Sequence, residues 1–164
     1  MSASESITPT HPDPAVQRLL DAEAVRELRH RYCWAYDRTD LAGLVALFTD
    51  DAVCVFGPFG QWEGIDQITE GYRDSLATLG GKTMHAITND VVTVDGDTAH
   101  GEFYLLDFTF GAPKENPLKI IAHYLEDYRR EGSGWKIARS RINFVWNEDQ
   151  GHITGEAHKP AATS

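Results

Sequence analysis

Cysteine is scarce in this chain of 164 residues: Cys33 and Cys54 are the only two. One sits in a helix-like context and the other in a strand-like one. That excludes a disulfide framework as the source of stability, and two free thiols in a reducing cytoplasm are expected. Basic residues are also few, 15 against 25 acidic, for a formal net charge of −10. Phosphate backbones are repelled by such a surface, which argues against nucleic acid as a partner. No apolar run reaches 18 residues, so no membrane-spanning helix is expected. No His or Cys spacing suits a metal site, and no glycine-rich fingerprint follows a strand. Neither a metal nor a nucleotide cofactor is therefore expected. The opening MSASESITPTHPDP lacks a basic region followed by an apolar core, so a cytoplasmic rather than secreted protein is expected.

What is present is enough for one domain with a real core: 41% hydrophobic and 24% charged residues. Residues 1–13 read as a disordered arm, 14–148 as the folded domain and 149–164 as a flexible tail. Asp13-Pro14 is a helix start, and Val16, Leu19, Leu20, Val25, Leu28, Tyr32 and Ala35 recur at helical spacing, giving a helix over 14–36. Asp40 caps a second helix, Leu41 to Phe48, and Ile65 to Leu79 reads as a third. Four long strands follow: Met84 to Val94, Thr98 to Phe110, Leu118 to Arg130 and Trp135 to Trp146. Asp95-Gly96 marks the first hairpin turn. Helices first and antiparallel strands after predict an α+β fold, a curved sheet with helices on one face.

Period-two alternation predicts what the strands show to the helices. On the last strand Trp135, Ile137, Arg139, Arg141, Asn143 and Val145 share a face. Ile121, His123 and Leu125 do so on the strand before it, and His85, Ile87, Asn89 and Val91 on the first. Each set mixes apolar residues with a few polar ones, as a ligand pocket does. The opposite face would carry Ile120, Tyr124, Phe144 and Trp146, an apolar area that predicts a homo-oligomer built through the sheet.

Two polar residues stand out in apolar surroundings: Asp37, where the first helix runs out, and His85, where the first long strand begins. A carboxylate at a helix C-terminus faces the negative end of the dipole, which is unfavourable by about 0.3–1 kcal/mol. Asp40 already serves as the next cap, so structure does not require Asp37. An Asp that holds one nitrogen of a His leaves the other as a base of fixed tautomer.

Four segments in order, YCWAYDRTDLAGLVALFTDDAV, the G-x-W-x-G-x-x-x-I pattern from Gly60 to Ile68, KTMHAITNDVVTVDGDTAHGEF and YLEDYRREGSGWKIARSRI, resemble the SnoaL-like branch of the NTF2-like superfamily. The similarity is greatest to its group of scytalone dehydratase, bile acid 7α-dehydratase and hexachlorocyclohexane dehydrochlorinase. The resemblance implies a cone-shaped sheet around a deep apolar pocket. It also implies a cofactor-independent lyase acting on a hydrophobic small molecule such as a polyketide, steroid or terpenoid. It places Asp37 and His85 as a catalytic dyad, Tyr32 as a proton or hydrogen-bond donor and Arg141 as the residue holding oxyanion charge. Tyr36, Asn89, Asp107, His123 and Asn143 are expected to bind substrate. A homotrimer is implied, with a homodimer as the other assembly. Isomerase or cyclase chemistry uses the same proton transfers. A non-catalytic ligand-binding or dioxygenase β-subunit-like role needs the pocket but no dyad, and an epoxide hydrolase would call on Asp107 and Arg141.

Overall fold

The Asp13 side chain accepts a hydrogen bond from the Ala15 amide, and Pro14 occupies the first helical position; together they start helix α1, Pro14–Asp37, in the computed structural model of the chain. The structure describes residues 13–57, 60–79, 82–110 and 117–148. The arm over 1–12 and the tail over 149–164 lie outside the described residues. Helix α1 buries Val25, Leu28, Arg29, Tyr32 and Cys33 on one stripe. Its first two turns are in solvent, so Val16, Leu19 and Leu20 are exposed and not part of the core as expected.

Helix α2 is shorter than the spacing predicts: Leu41–Val45, with Asp40 accepting from the Gly43 amide. Phe48 opens strand β1, Phe48–Val55, instead of closing the helix. Its ring is buried against Tyr32 and Tyr72, and that contact requires extended chain. Strand β2, Gln61–Glu63, and helix α3, Gly64–Ala77, follow. The long strands are β3 (Lys82–Asp95), β4 (Thr98–Phe110), β5 (Leu118–Glu131) and β6 (Gly134–Asn147). The six form one sheet in the order β2-β1-β6-β5-β4-β3, antiparallel except for the β1–β6 pair. The helices pack on its inner face, which makes the α+β fold expected.

Breaks in register decide which side chains face inward. In the β5–β6 pair Ile137 lies opposite Tyr128 and Arg139 opposite Asp127, so Ala138 is an extra residue. A bulge of one residue reverses the alternation beyond it. Trp135 and Ile137 therefore point inward as expected, but beyond the bulge it is Ser140, Ile142 and Phe144 that are buried. Strand β5 shows its even-numbered residues to the helices: Ala122, Tyr124, Glu126 and Tyr128 are buried, while Ile121, His123 and Leu125 belong to the outer face. In β3 the register shifts between Thr88 and Val91. Asn89 takes a left-handed φ of 53° there, a conformation that Asn tolerates better than most residues.

Candidate active site

The end of α1 and the start of β3 meet, and the meeting is held by three hydrogen bonds onto one carboxylate. His85 Nδ1 lies 2.6 Å from Asp37 Oδ1. The His85 amide donates to Oδ2 at 3.0 Å, and Thr83 Oγ1 donates to Oδ1 at 3.2 Å. Burial alone would raise the Asp37 carboxyl. The hydrogen bonds from the His85 ring and amide, and that from Thr83, outweigh it and hold the group below its ordinary value. A carboxylate can only accept, so Nδ1 carries the ring proton and Nε2 is left as the base.

His85 forms part of the wall of a cavity of about 430 Å³ between the helices and the inner sheet. The wall is largely aromatic: Tyr32, Tyr36, Phe56, Trp62, Tyr72, Tyr124 and Phe144, with Leu105, Ile120 and Ile142. Tyr36 sets its ring edge against His85, with centroids 4.7 Å apart, and its hydroxyl is 2.6 Å from Ser75 Oγ. The Tyr32 and Tyr72 hydroxyls are 2.9 Å apart. Burial pushes both phenols well above their ordinary range, so they stay protonated as donors. Asp107 lies directly across the β3–β4 ladder from His85 and also lines the cavity. Burial pushes its carboxyl up; His85 opposes the shift and Asp37 adds to it. Asp107 Oδ1 is buried without a hydrogen-bond partner.

Asp37, His85, Tyr32, Tyr36 and Asp107 are thus brought together. Four other expected residues are not. Arg141 is exposed on the outer face, opposite Leu125, because the Ala138 bulge turned it away. Asn143 and His123 pair with each other across the same outer face, where His123 Nε2 is 3.3 Å from Glu102 and its ring lies against Tyr104. Asn89 sits exposed in the β3 bulge. With Arg141 outside, the Asp–Arg–Asp arrangement of an epoxide hydrolase is not assembled.

One cluster escaped the sequence reading. Arg29 and Glu126 form a fully buried ion pair at 3.0 Å. Ser140 and Tyr128 donate to the same carboxylate at 2.6 and 2.5 Å. The guanidinium is sandwiched between the Tyr32 and Tyr124 rings, 4.0 and 3.7 Å from their centroids. Burial opposes its charge, but the attraction of Glu126, joined by that of Tyr124, Cys33 and Tyr32, outweighs burial and raises the guanidinium well above its ordinary value. Arg29 falls on the same helical stripe as Val25 and Tyr32, and Glu126 alternates with Tyr124 and Tyr128, so a paired signal was present. Both cysteines are buried free thiols, and burial pushes Cys33 up to about 11 and Cys54 to about 12, which rules out a resting thiolate nucleophile. Among the described residues no group of three or more His, Cys, Asp or Glu side chains could hold a metal ion. No helix of the described residues is long and apolar enough to cross a membrane.

Comparison with solved structures places the chain among proteins of the same fold. A candidate scytalone dehydratase from Novosphingobium aromaticivorans is 20% identical, with a TM-score of 0.74 over 92% of this chain and 99% of its own. LinA is also 20% identical, with a TM-score of 0.72 over 89% of this chain and 98% of its own. A candidate aromatic ring hydroxylase from N. aromaticivorans is 27% identical, with a TM-score of 0.69 over 77% of this chain and 90% of its own. Among curated proteins none matches by sequence. The sequence pattern of the SnoaL-like domain matches residues 17–141, from the second turn of α1 to the middle of β6, and the chain therefore belongs to the SnoaL-like domain family.

Proposed function

We propose that the chain is a cofactor-independent lyase that removes water from a hydrophobic β-hydroxy carbonyl compound. The observation that supports this most is the 2.6 Å contact between His85 Nδ1 and Asp37, made by a histidine that walls an aromatic cavity. His85 Nε2 takes a proton from the carbon next to the carbonyl. The electron pair becomes the new C=C bond, and the hydroxyl on the adjacent carbon leaves. Asp107, whose carboxyl burial pushes above its ordinary value, acts in its protonated form: it gives that hydroxyl its proton, and water is released. The Tyr32–Tyr72 pair donates to the carbonyl oxygen as charge builds there. The imidazolium, stabilised by Asp37, returns its proton through solvent to Asp107. Structural relatives named as dehydratases are consistent with this chemistry.

The test is incubation with aryl-fused β-hydroxy ketones in D2O, following loss of water and exchange at the acidic carbon separately by mass spectrometry. Asp107→Asn cannot supply a proton. It should retain exchange, lower the rate of water loss by roughly 10²-fold and flatten the alkaline limb of the profile. The wild-type limb should fall as pH rises through the raised Asp107 value, because the acid is then spent. Water loss at the wild-type rate in Asp107→Asn would remove this acid from the mechanism. A second reading, a role in aromatic ring oxygenation, draws on the relative named a candidate aromatic ring hydroxylase. Carbon exchange that depends on His85 separates the two.

The outer face of the sheet supports self-assembly, which the family resemblance makes a homotrimer, though on other residues than expected. Ile120, Tyr124 and Phe144 line the cavity and leave only Trp146 of the expected set outside. Tyr104, Leu106 and Phe108 alternate with the buried residues of β4, and Met84 and Phe110 are exposed beside them. This apolar area predicts assembly. Light scattering at micromolar concentration should give three chain masses, and Phe108→Glu should give one.

A further inference from the structure

Helix α3 carries a glycine in its interior, Gly71, where alanine would favour the helix by about 0.5–1 kcal/mol. Its backbone is not in the left-handed region, so no turn requires it. The requirement comes from Trp62: a β-carbon at Gly71 would lie 2.2 Å from Trp62 Cε2 and 2.3 Å from Cζ2. The indole is seated flush on the bare helix backbone. Phe56 and Tyr72 hold it in place, with ring centroids 4.6 and 5.1 Å away. Trp62 and Gly71 line the aromatic chamber on one side. On the other they line an open groove of about 620 Å³ that carries Asp66, Glu70, Arg73 and Asp74. The Trp62 indole thus stands between an apolar chamber and a charged groove, with Asp74 on the rim that the two share.

We propose that Trp62, seated on Gly71, is the specificity-determining partition of the site, closing the chamber at the size of a small flat ring system and excluding larger fused rings. This rests on the reading of the aromatic chamber as the substrate site. Loss of the indole joins the chamber to the groove and lengthens the space open to a ligand. A β-carbon at position 71 acts without touching the chamber's other walls. Phe56 and Tyr72 back the ring on the chamber side, so the displaced indole moves toward the open groove.

The experiment measures binding by equilibrium dialysis of two phenols, the two-ring 2-naphthol and the four-ring 1-hydroxypyrene. Proteins compared are the wild type, Trp62→Ala, Gly71→Ala and Ile120→Trp, each checked for fold by circular dichroism. The wild type should bind 2-naphthol at least about tenfold more tightly than 1-hydroxypyrene, the discrimination a few misplaced carbons can give in a closed apolar site. That preference should disappear in Trp62→Ala and shrink in Gly71→Ala, a variant with no helical reason to unfold. Equal binding of both phenols by the wild type, or an unchanged preference in both folded variants, overturns the partition and leaves the chamber standing. Ile120→Trp fills the chamber itself and should abolish 2-naphthol binding. Undiminished binding there would overturn the chamber and the partition together.

Discussion

Asp37→Asn and His85→Ala should each lower kcat for dehydration by at least about 10²-fold with the fold intact, since positioned acid–base catalysis contributes roughly 10²–10⁴. The asparagine variant is the sharper test. Asp37 receives three donors: the His85 ring and Thr83 on Oδ1, and the His85 amide on Oδ2. An asparagine has one accepting oxygen and one donating nitrogen. Whichever way the amide turns, a donor meets a donor. If its nitrogen faces the ring, His85 must accept at Nδ1, and the proton moves to Nε2, where the base should be. If its nitrogen faces the strand, the His85 amide loses its acceptor and the ring its fixed seat. His85→Ala removes the base outright and should also abolish carbon exchange in D2O. KM should change little in Asp37→Asn, because Asp37 lies behind the histidine and is not part of the cavity wall. Near-normal kcat in both variants would mean that the pair is structural.

Glu126→Ala should destabilise the fold by about 3–5 kcal/mol, the cost of leaving a buried charge without its partner. For a chain of this size that lowers Tm by roughly 6–20 °C. Among the described residues Glu126 supplies the only carboxylate on Arg29, and both side chains are fully buried. Arg29 Nε and Nη2 already have no hydrogen-bond partner, so the cation has no reserve beyond the two tyrosine faces. The double variant Arg29→Met with Glu126→Gln should recover more than half the loss. It removes the cation, while the glutamine oxygen accepts from one of the two hydroxyls and its amide nitrogen donates to the other, since a hydroxyl can turn to accept. A melting temperature within a degree of wild type in Glu126→Ala would show that the guanidinium finds water. Because Tyr32 and Tyr124 both stack on Arg29 and both line the cavity, the single variant should also weaken ligand binding.

The sequence by itself determined the order of the elements and singled out Asp37 and His85, which the fold brings into contact. Hydrophobic spacing and turn chemistry are local, so the Asp13-Pro14 start, the Asp95-Gly96 hairpin and the span of β4 were legible without coordinates. Asp37 was legible because a carboxylate at a helix C-terminus is locally unfavourable and so invites a partner. The inward face of each strand was not legible. Alternation predicts a face only while the register is unbroken, and the bulge at Ala138, set by pairing with β5, sent Arg139 and Arg141 to the outside. Strand β5 is apolar on both faces, with Ile120 beside Ile121 and Tyr124 beside Leu125, so period two could not choose between them. The buried Arg29–Glu126 pair separates residues 97 positions apart, and a charge becomes a core residue only when its counter-charge arrives from another element. Asp107 is the same lesson at the site: its place in the sequence is that of any strand residue, and only the β3–β4 register sets it across from His85 in a buried wall that pushes its carboxyl up.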